Sequence, residues 1–209
     1  MWYSHYADDY TAQGWPISYK QNNANAIAYY FEAHNWTLNA ICAMLGNMQL
    51  ESFLNPAQWE IGYGIEGGPN HGYGLVQWTP WTKYTDWAEQ RGYDWRNTYN
   101  PQLERIQYEL ENDEQWQPVL WHGMTFREFS QSEDAVATLT EAFLHAYENP
   151  RSYASLPTRV ANAEYWYQYF TGTPPTPPGP EPPGPGPTPG TTDKFKLMFY
   201  LKPKWKKGF

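Results

Sequence analysis

The sequence predicts an α+β chain: a predominantly α-helical body with one small β/loop lobe, followed by a Pro/Gly-rich linker and a short basic tail. Three observations carry this. Several segments place apolar residues at the helical period. One stretch, residues 61–74, holds six glycines among fourteen residues. A third, residues 173–192, holds ten prolines and four glycines. The first pattern makes helices, the second makes tight turns and close backbone approaches, and the third makes no packed core at all.

Taken in order, residues 1–20 carry aromatics without periodicity and read as an irregular arm. From Asn25 to His34, Ile27, Tyr30 and Phe31 suggest a short helix. Thr37 is a natural N-cap for a second helix, with Leu38, Ile41, Cys42 and Leu45 forming one buried stripe. Met44, Met48 and Glu51 follow one flank of that helix, which Asn55-Pro56 ends. Thr79-Pro80 reads as a third helix start, stopped by Gly92, and Asn100-Pro101 as a fourth with Leu103, Ile106 and Leu110 inward. Thr125 and Glu128 have capping-box spacing. Ser132 leads into a helix carrying Val136, Leu139, Phe143 and Tyr147. The last helix runs from about Thr158 to Phe170, with Val160, Ala163, Tyr167 and Phe170 inward, and stops at Gly172.

The domain boundaries follow: a body over 1–172, a linker over 173–192 and a basic aromatic tail over 193–209. Polyproline II geometry, at about 3.1 Å per residue, would make the linker a spacer of roughly 60 Å. In the tail six lysines accompany Phe195, Leu197, Phe199, Leu201 and Trp205. The alternating apolar positions suit a strand added to a neighbouring protein, and the lysines suit an anionic surface.

Composition narrows the function. The body has 8 basic against 20 acidic residues and the remainder 6 against 2. An acidic body argues against nucleic acid as its partner. Aromatics make up 19% of the chain, with 12 Trp and 18 Tyr against 9 Phe. Rings with a polar handle suit sugars, whose C–H faces are ringed by hydroxyls, although most aromatics in any such body pack its core. No apolar run is long enough to span a bilayer, and the N-terminus lacks the basic and apolar regions of a secretory signal. The five histidines show no zinc-binding spacing, so neither a metal nor another cofactor is expected. Cys42 lies mid-helix on a buried stripe, away from the helix N-terminus and histidine that activate a thiolate. It reads as core filler.

Gly46 to Trp78 holds the candidate chemistry. Hydrolysing a glycosidic bond requires a carboxylic acid that stays protonated near neutrality, well above its ordinary value of about 4.3. Raising it to about 6 takes roughly 2 kcal/mol of bias against the charged form. Glu51, at a helix C-terminus beside Met44 and Met48, is placed for that bias by the helix dipole and by desolvation. The competing reading is a solvated glutamate at a helix end. A second carboxylate would come from Glu60 or Glu66, with Asp86 a remote candidate, and the spacing selects none of them. The glycine-rich stretch carries His71 and Tyr73 as candidates for lining a saccharide cleft.

The string GNMQLESFLNP followed by GYGLVQW resembles the signature of the phage tail lysozyme family, peptidoglycan-cleaving domains carried on bacteriophage tails. EAFLHAYENPRSYASLPTR, residues 141–159, resembles that family's closing portion through Glu148, Pro150 and Arg159, while Asn149 stands where a basic residue is common. The resemblance covers roughly residues 22–170. It implies a lysozyme-like fold, Glu51 as catalytic acid, and Gln77 and Trp78 as cleft residues. It further implies cleavage of the β-1,4 bond between N-acetylmuramic acid and N-acetylglucosamine as a tail penetrates the wall. The expected partners are peptidoglycan glycan strands and, through the C-terminal tail, other phage tail proteins. A free endolysin acting from the host cytoplasm, lytic-transglycosylase chemistry and a non-catalytic glycan-binding tail-tip protein are the alternatives.

Overall fold

In a computed structural model of the chain, residues 2–66, 68 and 70–172 are described. The expected linker and tail lie outside the described residues. Seven α-helices make up about half of the described body: α1 (Ile17–Ala33), α2 (Leu38–Ser52), α3 (Thr82–Gln90), α4 (Asn100–Glu111), α5 (Phe126–Gln131), α6 (Val136–Phe143) and α7 (Leu156–Thr171). No helix among the described residues is long and apolar enough to cross a membrane.

Helix α2 is the axis of the body. Every residue from Ala40 to Gln49 is buried, and the helix packs mainly on α7 and α6, with α1 alongside. A helix enclosed on several sides cannot show the single apolar stripe of a surface helix. Its start is as the sequence predicts: the Thr37 side chain accepts a hydrogen bond from the backbone N–H of Ala40 at 3.2 Å. At its end Phe53 and Leu54 both adopt positive φ, so the helix closes at Ser52, before Asn55-Pro56.

Gly46 explains how α2 meets α7. A Cβ built there would lie 2.5 Å from the Arg159 carbonyl oxygen and 2.6 Å from the Ala163 Cβ. Only a residue without a side chain lets the two backbones pass so closely.

Other elements correct the sequence reading. Helix α1 begins at Ile17, eight residues earlier than expected, and so takes in the end of the supposed irregular arm. Its buried face is Lys20, Asn23, Ala24, Ile27, Ala28 and Phe31, a helical stripe whose first two members are polar. Asn23 is satisfied there, accepting from the Tyr3 N–H and donating to the carbonyls of Tyr3 and Leu54. Helix α3 starts at Thr82 and not at the Thr79-Pro80 pair, whose peptide bond is cis. The Thr125/Glu128 capping box forms as predicted. Helix α6 continues into a π-helical turn, Leu144–Glu148, closed by Asn149 at positive φ. Helix α7 buries Arg159, Asn162, Ala163, Tyr165 and Trp166, so its inward face is rotated from the Val160–Tyr167–Phe170 stripe expected. Tyr167 is exposed.

Among the described residues the small lobe contains isolated bridges in place of continuous strands. Trp59 pairs with Tyr73 and Tyr73 with Trp78, both antiparallel, and Ala7 of the arm pairs with Gln58. Side-chain bonds supply the order that a sheet would otherwise give. Gln102 of α4 accepts from the Leu75 N–H at 2.8 Å and donates to the Pro56 carbonyl at 2.6 Å, tying both sides of the lobe to the helical body.

Candidate active site

Glu51 lies in the last turn of α2, where the helical body meets the lobe. The seam is fixed by its neighbour: the Ser52 hydroxyl lies 2.9 Å from the Leu75 carbonyl and 3.0 Å from the Met48 carbonyl. Met44 and Met48, on the same helix, are fully buried. The Glu51 side chain itself is 22% exposed, so it neither sits in the core nor projects freely into solvent.

Its partner is Arg159 of α7. Arg159 Nη2 donates to Glu51 Oε1, and the guanidinium is almost wholly buried. The other nitrogens are also engaged, Nη1 with Asn47 Oδ1 at 3.0 Å and Nε with Ser155 Oγ at 3.1 Å. Asn47 in turn donates to the carbonyls of Ala43 and Thr140, joining α2, α6 and α7 around the same point. Gln49 donates to Asn162 Oδ1 and accepts from the Trp166 indole, a second bolt between α2 and α7. The polar residues Asn47, Gln49 and Ser52 are thus fasteners around Glu51 in the last two turns of α2. Oε2 of Glu51 has no protein hydrogen-bond partner among the described residues.

A second carboxyl belongs to this cluster. Glu148 ends the π-helical turn; the residue is half-buried, and its Oε1 is buried with no hydrogen-bond partner among the described residues. Burial raises its pKa well above the ordinary carboxylate range. The charge of Glu51 adds to the shift, Arg159 opposes it, and Glu109 adds a smaller contribution.

The other predicted site residues divide into two sets. On the lobe, Glu60 Oε2 accepts from the Gly72 N–H at 3.0 Å and lies 3.4 Å from His71 Nδ1. His71 also stacks on Tyr63, with ring centroids 4.4 Å apart and an interplanar angle of 25°. Tyr63 is 58% exposed, a flat aromatic face on the lobe. Glu66 accepts from the Tyr6 hydroxyl and from Arg96, and the Tyr6 hydrogen bond leads in holding its pKa below the usual carboxylate range. It ties the arm to the lobe as a carboxylate.

The second set is structural. Tyr73 is fully buried, and Trp78 is buried with its indole donating to Glu109 Oε1 at 2.9 Å. Neither presents a surface to a saccharide. Glu109 also accepts from the Tyr147 hydroxyl and faces Arg105, so this buried acid anchors α4 to the lobe and to the π-helical turn. Gln77 is partly buried at positive φ, its amide donating to the Gln58 and Gly74 carbonyls at 3.0 Å each. It braces the Gly-rich turn from within. Cys42 is fully buried, and burial pushes its thiol far above the ordinary range, opposite to what a nucleophile needs. Among the described residues no three His, Cys, Asp or Glu side chains come together as a metal site requires.

Sequence reasoning singled out Glu51 but gave no role to Arg159 or Glu148. The usable signal was a charged residue on a buried helical face. Arg159, Asn162, Ala163 and Trp166 fall at i, i+3, i+4 and i+7, a stripe that an apolar-only template passes over.

A helical body and a turn-rich lobe, joined at a helix end that carries a glutamate, define a lysozyme-like class of protein. The comparisons agree: residues 22–170 match the phage tail lysozyme family, and the chain belongs to that family. A relative, Morphogenesis protein 1 of Bacillus phage B103, is 45% identical over 150 residues. That alignment covers 72% of this chain and 40% of the relative, so the chain spans well under half the length of the relative it matches.

Proposed function

We propose that this chain is a muramidase that cleaves the β-1,4 bond between N-acetylmuramic acid and N-acetylglucosamine in peptidoglycan, with Glu51 as proton donor. The observation that carries this reading is the placement of Glu51. It is fixed by Arg159 at the seam between body and lobe, partly exposed, in a chain of the phage tail lysozyme family. Arg159 occupies one carboxyl oxygen, which leaves Oε2 to present a proton to the glycosidic oxygen. Protonating that oxygen lets the sugar become oxocarbenium-like as the bond breaks.

The lobe supplies the substrate wall. Tyr63 and His71 offer a stacked aromatic face to a sugar ring, and Glu60 orients His71 and the Gly72 backbone. Glu60 is the lobe carboxylate that remains available as a second catalytic group, because Glu66 is engaged by Tyr6 and Arg96. Carriage on a phage tail would bring the chain to the wall, with the Pro-rich segment as tether and the lysine-rich segment as a grip on a wall polymer or a neighbouring tail protein.

Purified protein added to cell-wall suspensions should reduce turbidity and release muropeptides. Mass spectrometry of the products then decides the chemistry. Reducing N-acetylmuramic acid ends support hydrolysis, whereas anhydro ends would replace it with lytic transglycosylation. Saccharide binding with no new ends would replace the enzyme with a glycan-binding tail component.

A further inference from the structure

Tyr63 stands in a turn with a glycine on each side. Gly62 and Gly64 both take positive φ, +86° and +87°, and a Cβ at either would meet nothing within 4 Å. These glycines therefore serve conformation and not space, and they leave the backbone around Tyr63 free unless something ties it. One residue of the N-terminal arm provides the tie. The Gly62 N–H donates to the Asp8 carbonyl at 3.1 Å, and the Gly64 N–H donates to Asp8 Oδ2 at 2.8 Å. The Tyr63 N–H has a longer bond of its own, 3.4 Å to the Glu60 carbonyl. Asp8 is held in turn by its neighbours. Ala7 pairs with Gln58, the Trp59 N–H donates to the Ala7 carbonyl at 3.1 Å, and the Tyr6 hydroxyl donates to Glu66 at 2.8 Å. The Tyr63 ring is exposed and stacked on His71, so the turn displays a flat face while Asp8 holds both of its flanks. Asp8 itself lies outside residues 22–170, the stretch that matches the phage tail lysozyme family.

We propose that the N-terminal arm is part of the saccharide-binding wall and that Asp8 is its positioning residue, fixing the Tyr63 face on which an N-acetylhexosamine ring packs. This rests on the reading of the lobe as substrate wall given above. An aromatic face contributes fully to sugar binding only when it is already in place, since otherwise binding must also order the turn that carries it. The bond from the Gly64 N–H to a carboxylate is charge-assisted and so among the stronger ties available to a loop. Among the described residues Asp8 makes no hydrogen bond to Glu51 or Arg159, so its effect falls on sugar binding and not on proton delivery.

The test compares Asp8→Ala and Asp8→Asn in the full chain, with folding verified by thermal melts. Asp8→Ala should raise KM for solubilised peptidoglycan strands about 5-fold at unchanged kcat, the factor for ordering one residue on binding. Asp8→Asn keeps a side-chain oxygen for the Gly64 N–H and should restore the wild-type KM. In a Tyr63→Ala protein, which has no face to position, Asp8→Ala should add less than about 2-fold. A merely structural Asp8 would lower the melting temperature and leave KM unmoved, or would act equally with and without Tyr63, and either result overturns the proposal. So does an Asp8→Asn protein as weak as Asp8→Ala, because the charge and not the hydrogen bond would then be acting. Should Asp8→Ala not fold, amide exchange in wild type decides. Slow exchange at both Gly62 and Gly64 supports the clamp, and exchange at the rate of an unstructured chain overturns it. Calorimetric binding of a tetrasaccharide of alternating N-acetylglucosamine and N-acetylmuramic acid to the Glu51→Gln protein separates this proposal from the muramidase reading. If wild type cleaves nothing and Asp8→Ala still weakens that binding about 5-fold, the muramidase reading falls and the clamp stands. If wild type cleaves and Asp8→Ala changes neither KM nor binding, the clamp falls alone.

Discussion

Replacing Gly46 by alanine tests how the fold holds the site. The new methyl would meet α7 backbone, at 2.5 Å from the Arg159 carbonyl oxygen and 2.8 Å from the Ala163 nitrogen, and would meet the Ala163 Cβ at 2.6 Å. Comfortable carbon contacts lie at about 3.5–4.0 Å, so α7 must retreat by about 1 Å. Overpacking of this kind costs about 1–3 kcal/mol, with rigid backbone as the obstacle favouring the upper end. Helix propensity returns about 1 kcal/mol, since alanine is the better helix former. The net loss is about 2 kcal/mol, or about 4–8 °C in Tm for a body of this size. Because the clash is on Arg159 itself, the same retreat displaces the guanidinium from Glu51. A misplacement of about 1 Å can lower catalysis by about 10²-fold. Thermal melts and wall-cleavage rates of the two proteins check both parts. Gly14→Ala is the control, because a Cβ there meets nothing within 4 Å. A Gly46→Ala protein that melts at or above the wild-type temperature and cleaves at the wild-type rate would refute the reasoning.

Further outcomes follow from the same cluster. Arg159→Met should destabilise the body by about 2–3 kcal/mol, less than the cost of breaking a fully buried pair because Glu51 keeps some solvent. Lysine at 159 should not restore activity, since its ammonium cannot serve Glu51, Asn47 and Ser155 as a planar fork does; urea unfolding and wall-cleavage assays measure both. Wild-type stability should decline as pH rises from about 4.3, the unfolded value for a glutamate, toward the raised value of Glu148, because over that window the native state holds a proton that the unfolded state has released. Melts in a pH series should show a shallower decline in Glu148→Gln, and parallel curves would contradict this. Cys42→Ala should leave peptidoglycan cleavage unchanged, and folded wild type should resist thiol reagents. Inactivation by either would restore a cysteine mechanism.

Much of the fold was legible because local chemistry and tertiary structure agree. Thr37, Asn100-Pro101, the Thr125/Glu128 box and Gly172 mark helix ends that the structure retains. The misreadings share one physical origin. Lys20 and Asn23 on α1, and Arg159 and Asn162 on α7, are polar residues on buried faces, so apolar periodicity placed the first helix too late and rotated the last one. The same bias hid half of the site. Glu51 was readable from its motif, whereas its guanidinium partner lies 108 positions along the chain. Nor does spacing alone reveal that Trp78 turns inward onto Glu109 of α4, or that the Gln77 amide braces its own turn through the Gln58 and Gly74 carbonyls.

The central claim is that one carboxyl, Glu51, delivers the proton that breaks the glycan strand. The most direct measurement is the release of muropeptides from purified peptidoglycan by wild type and by Glu51→Gln, with folding of both verified by thermal melts. The account predicts cleavage products from wild type and none above background from the folded variant. Equal release from both proteins would contradict it.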